Sequence, residues 1–148
     1  MQVTDETKAL AQEIVDYFHT YPERHEQDTW VFLHDGKDDE VYLPVEEYLT
    51  EANVCNTTMC IAGSAVFLTR SLSEFKKFYS TPGEDYDWEI VGGRLLGLEP
   101  NEAFWLFYDT NNATAIDAVT AIANGDVDKF THLMERGIEE IMSGADSI

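Results

Sequence analysis

The chain has 148 residues, 44% of them apolar, and a formal charge of −20 from 29 acidic and nine basic side chains. Eight Phe, seven Tyr and three Trp make this a globular composition with material for one core, and exclude a disordered chain. No apolar run reaches the roughly 20 residues of a membrane span, and such a negative charge repels nucleic acid and anionic membranes while suiting a basic protein surface. The first ten residues, MQVTDETKAL, lack the basic-then-apolar pattern of a secretion signal, so a cytoplasmic protein is expected.

Thr4 or Asp5 reads as an N-cap with Glu6 in the first turn, and Leu10, Ile14, Tyr17 and Phe18 then recur at helical spacing. Pro22 stops this helix near Tyr21. Two short apolar runs, Trp30–Leu33 and Val41–Leu43, flank an Asp35-Gly36 turn signal and predict a small hairpin near 29–43. Pro44 suits the first turn of a helix over VEEYL.

The next helix is expected from about Thr57 to Arg70, capped by Asn56 or Thr57, with Gly63 marking the close approach of another backbone. A short helix and loop cover SLSEFKKFYSTPGED, and Asp85 or Asp87 caps a helix with Trp88, Val91 and Leu95 on one side, ended by Gly97. Pro100 opens the following helix. Ala113–Asn124 form another, closed by Gly125, and Asp126 caps a last one carrying Phe130, Leu133, Met134, Ile138 and Ile141. The expectation is all-α: a single domain, 1–148, of five to seven helices with one small β-hairpin insertion.

Cys55 and Cys60 flank four residues and raise four readings. A reducing compartment argues against a disulfide. Zinc has only His25 and His34 as nearby further ligands and no second tight pair. A nucleophile with His25 as base meets an acidic surrounding that opposes a thiolate. The reading adopted is a packing centre: Cys60, Ile61, Ala65 and Val66 form a buried helix, while Ala62, Gly63 and Ser64 admit a neighbour. His25, Gln27 and Trp30 then cover its start and satisfy backbone groups there. IVGGRLLG lacks the dinucleotide-loop spacing, and HDGKDDE lacks the acid spacing of a calcium loop, so neither cofactor nor metal is expected.

Three segments, YPERHEQDTW, VCNTTMCIAGSA and LLGLEPNEAFWLFY, together resemble a family of small, mostly uncharacterised proteins of actinobacteria and their phages, mycobacteriophages among them. The positions that carry the resemblance are Pro22, His25, Gln27 and Trp30, then Cys55, Thr57, Cys60, Ala62 and Gly63, then Leu96, Gly97, Leu98, Pro100, Ala103, Leu106 and Phe107. Asn56 departs from the family's glycine, and residues 31–52 look like an acidic insertion. The resemblance implies an all-α fold and a phage origin, and no reaction.

Three functions follow as expectations. The first is a non-enzymatic phage accessory protein that binds and modulates a basic host protein, without binding nucleic acid or membrane itself. Asp38, Asp39, Glu40, Glu46 and Glu47 would steer that partner. The second is an acidic DNA mimic that inhibits a DNA-binding host protein. The third is an enzyme using Cys55 or Cys60 with His25. In AFWLFY, six apolar residues in a row cannot share one helical face; Ala103, Leu106 and Phe107 are assigned to the core. Trp105 and Tyr108 either pack under a terminal helix or, if exposed, form an aromatic anchor.

Overall fold

The computed structural model describes residues 1–27, 31–33 and 57–146. Helix α1, Asp5–Thr20, starts where Thr4 Oγ1 accepts from the Thr7 N–H (3.1 Å) and Thr7 Oγ1 accepts from the Thr4 N–H (2.9 Å). It buries Leu10, Ala11, Ile14, Val15 and Phe18. A 3-10 turn over Pro22–Arg24 swings the chain so that Glu26 N–H reaches Met59 O at 2.9 Å. Strand β1, Val31–Leu33, pairs antiparallel with β2, Thr57–Met59, in the register Val31 with Met59 and Leu33 with Thr57.

Six further helices follow: α2 Ile61–Thr69, α3 Leu72–Ser80, α4 Trp88–Leu95, α5 Pro100–Tyr108, α6 Asn112–Ala123 and α7 Val127–Asp146. The fold is all-α, with seven α-helices and one two-stranded ribbon among the described residues. α1 packs chiefly on α6, α6 on α7, and α2 on α4. Ile14, Phe18, Met59, Ile61, Leu96, Leu106, Ile122 and Phe130 meet in the main core. Val66, Phe75, Phe78 and Val91 form a second cluster, edged by Trp88. Each such buried side chain contributes about 1.5–3 kcal/mol of transfer free energy.

Two helix ends follow directly from glycine. At Gly97 (φ +71°) the Gly97 N–H bonds Arg94 O (3.1 Å) and the Leu98 N–H bonds Gly93 O (2.9 Å). Gly125 (φ +68°) repeats the pattern, with its N–H on Ile122 O (3.0 Å) and the Asp126 N–H on Ala121 O (2.8 Å). These are Schellman closures, which need a left-handed residue after the cap. The caps read from sequence at Thr4, Asp87 and Asp126 each accept a backbone N–H, from Thr7 (3.1 Å), Ile90 (2.9 Å) and Lys129 (3.1 Å).

Four expectations need correction or fall outside the described residues. α2 begins at Ile61, not Thr57: the β-branched pair Thr57-Thr58 lies in β2, and Cys60 is the cap, in an extended conformation. β1 finds its described partner in Thr57–Met59; the expected pairing with 41–43 and the helix after Pro44 lie outside the described residues. Trp105 takes the first of its two expected places, packed under the terminal helix α7, and is no surface anchor. It is 2% exposed and meets Phe130 of α7 edge-on at 5.5 Å, over the notch of Gly137, where a Cβ would lie 2.7 Å from Trp105 Nε1. The exposed aromatic beside Tyr108 is Phe104 instead.

The close approach expected of the small-residue helix is real, and it is made at Ala62. A Cβ on Gly92 would meet Ala62 Cβ at 3.0 Å and Ala62 Cα at 3.1 Å. A Cβ on Gly93 would meet Ala103 Cβ at 3.1 Å. The paired glycines therefore let α4 seat against α2 on one side and α5 on the other.

Candidate functional site

The polar residues singled out around the cysteines converge on one buried cluster. Gln27, 4% exposed, sits where the chain passes between the start of α2 and the end of α5. Its Oε1 accepts from the Ile61 N–H (3.3 Å), one of the first amides of α2, which lack partners inside their own helix. Its Nε2 donates to Leu106 O at 2.7 Å, an oxygen that also accepts from Thr110 Oγ1 at 2.7 Å. The Gln27 N–H donates to Asn112 Oδ1 (2.8 Å), and Asn112 Nδ2 donates to His25 O (2.9 Å). One glutamine and one asparagine thus tie the 25–27 segment to α2, α5 and α6.

These partners fix the state of His25. The carboxamide oxygen must face Ile61 N–H, since an NH2 there would oppose another donor. The imidazole nitrogen 3.1 Å from that oxygen must then carry a hydrogen, so His25 is the Nε2–H tautomer. The ring stacks on Phe18, with centroids 4.3 Å apart and planes at 18°. Burial pushes the His25 pKa below the usual 6.5, against the opposing effect of the Gln27 bond. Beside it, Arg24 lies over the Tyr21 ring (3.7 Å to the centroid) and donates to Tyr17 Oη at 3.2 Å.

Stability should reflect that depressed pKa. The unfolded chain takes up a proton as pH falls through about 6.5, before the folded chain does. The contribution is therefore complete above that value and is lost as pH falls through the window toward the folded pKa. The slope is at most about 1.4 kcal/mol per pH unit. Urea midpoints measured between pH 7 and pH 5 should fall more steeply for the wild type than for His25→Gln. Parallel lines for the two proteins would remove His25 as the cause.

Cys60 lies at 0% exposure and serves as a weak cap, its Sγ accepting from the Gly63 N–H at 3.5 Å. Burial pushes its thiol up to about 11, so the group is a protonated, packed sulfur at neutral pH. His25 turns its Nε2 to Gln27 rather than to a thiol. Gly63 is buried in α2, and Thr57 lies in β2. Trp30, Cys55, Asp38, Asp39, Glu40, Glu46 and Glu47 lie outside the described residues, as does His34.

An open cleft of about 480 Å3 runs along His25, Gln27 and Asn112. No cluster of three or more His, Cys, Asp or Glu placed to hold a metal occurs among the described residues, and none of their helices is long and apolar enough to cross a membrane. What the buried cluster does chemically is to satisfy helix ends. Asn112 escaped the sequence reading, although the doubled asparagine was a usable signal. Asn111 caps α6 through the Thr114 N–H (2.8 Å), which leaves the second amide for another task. No family model, curated protein or solved structure matches the chain.

Proposed function

We propose that this is a non-enzymatic accessory protein, phage-encoded and acting in the bacterial cytoplasm, that binds and modulates a host protein through a basic surface on that partner. The observation that carries the reading is the placement of the charge. Among the described residues Glu102 is the one buried acid, bonded to the Glu99 N–H (2.9 Å) and to the Met1 amino group (3.0 Å). The remaining described carboxylates stand at or near the surface. Carboxylates presented this way, in a chain of formal charge −20, steer basic proteins at long range and repel polyanions. His25, whose Nε2 is engaged by Gln27, and the buried, protonated Cys60 favour a binding role over nucleophilic catalysis, and the resemblance to actinobacterial phage proteins supports the origin.

Capture from an actinobacterial lysate tests it. Screening lengths fall from about 10 Å at 0.1 M salt to about 3 Å at 1 M, so a charge-steered partner should be retained at the lower salt and released at the higher. Replacing Asp38, Asp39 and Glu40 by Asn or Gln should slow its association at low salt. A lysate that yields no salt-sensitive partner overturns the reading.

A further inference from the structure

We propose that the groove between α4 and α5, edged by Phe104 and Tyr108, is the seat for a basic amphipathic helix of the partner protein. The proposal deepens the function inferred above and rests on it. Pro100, Phe104 and Tyr108 recur every four residues and so share one face of α5. Phe104 and Tyr108 are 53% and 52% exposed, with ring centroids 4.9 Å apart. Their neighbours Ala103, Trp105, Leu106 and Phe107 are all buried, so Phe104 and Tyr108 are the exposed aromatics of this otherwise well-packed helix. Beside the tight Gly93–Ala103 crossing an opening of about 460 Å3 remains, lined by Ile90, Leu98 and Ala103 among others.

The charge around this groove selects the occupant. Glu84 and Glu89 line it, and the one lining cation among the described residues, Arg94, is drawn to Glu84 at 3.8 Å. The Tyr108 hydroxyl donates to Glu89 at 3.4 Å. Partial burial, then the carboxylates of Glu89 and Asp87, raise the Tyr108 pKa, so the hydroxyl remains a donor in a negative field. A second copy of this chain would bring another −20 and be repelled, as would nucleic acid or an anionic lipid surface. The nine residues of α5 span about 13 Å, room for two to three turns of a helix laid alongside. An apolar stripe at helical spacing would meet Phe104, Tyr108 and Ile90, and flanking Lys or Arg would meet Glu84 and Glu89.

The test uses the full chain and labelled peptides of about 18 residues. One is a Leu/Lys peptide with helical spacing, one has the same composition in strict alternation, and one carries Glu in place of Lys. Anisotropy at low salt should show binding of the first alone. Amide shifts should centre on Gly93, Leu98, Phe104 and Tyr108. The double variant Phe104→Ser, Tyr108→Ser should weaken binding about tenfold or more, as expected for paired aromatic anchors. Val127→Ser, which removes an apolar group 40% exposed on α7, should leave binding unchanged. Glu84→Gln with Glu89→Gln should flatten the salt dependence. Circular dichroism melts confirm that each variant is folded. Failure of the helical basic peptide to bind, equal binding of the acidic one, or insensitivity to the double variant overturns the groove. The lysate experiment with the Asp38, Asp39 and Glu40 substitutions separately decides whether the charge-steered function stands.

Discussion

Gln27→Leu should be among the most damaging single changes in the described part of the chain, lowering stability by about 3–5 kcal/mol. Leucine fills most of the volume but offers no oxygen. Two buried donors, the Ile61 N–H and the His25 Nε2–H, then lose their acceptor, while Leu106 O keeps its bond from Thr110. Each abandoned buried donor costs about 1–3 kcal/mol. Against a typical total of about 5–15 kcal/mol, the loss should appear as a large fall in the urea midpoint. Gln27→Glu retains the oxygens but sets a carboxylate against Leu106 O; it should cost less than the leucine and raise the His25 pKa. A leucine variant with a wild-type midpoint would mean that the cluster does not hold the four segments together.

Gly92→Leu should cost about 3 kcal/mol or more, at the upper end of what overpacking does. Its first new atom would already lie 3.0 Å from Ala62 Cβ, 3.1 Å from Ala62 Cα and 3.4 Å from Phe107 Cζ. Backbone cannot rotate away as a long side chain can, so α2 and α4 must separate and open both hydrophobic clusters. Ala62→Gly in the same chain removes the facing methyl and should recover part of the loss, a coupling that a double-mutant cycle measures. Strictly additive denaturation free energies would show that the two residues do not meet.

The helix ends were legible because their chemistry is local. Asp87 before a helix, Pro100 at a first turn, and glycine at 97 and 125 each act within a few residues of where they stand. The start of α2 was not, because Thr57-Thr58 becomes a strand only by pairing with residues 31–33, a contact sequence spacing does not reveal. The run from Ala103 to Tyr108 contains no polar residue to set its phase, so local pattern could not decide whether Phe104 or Trp105 faces outward. That choice is made by α7, which offers Gly137 as a notch for the indole. The paired glycines at 92 and 93 carry no nucleotide-binding spacing, and their packing role is visible only with the facing residues, Ala62 and Ala103. Gln27 could be read as a cap for the helix after the cysteines. Its bonds to Leu106 and Asn112 span 79 and 85 residues of chain.

The register of the small ribbon has a consequence for how this protein can change. Leu33 and Thr57 are direct partners across the two strands, so the two ends of the intervening stretch lie side by side, their Cα atoms about 5 Å apart. The stretch between them carries seven acids and a single lysine. Because its two ends are already joined by the ribbon, doubling its length would add only about 0.6 kcal/mol of closure entropy. The ribbon thus pins both ends of that stretch, so that a change in its length or charge leaves the two attachment points, Leu33 and Thr57, side by side.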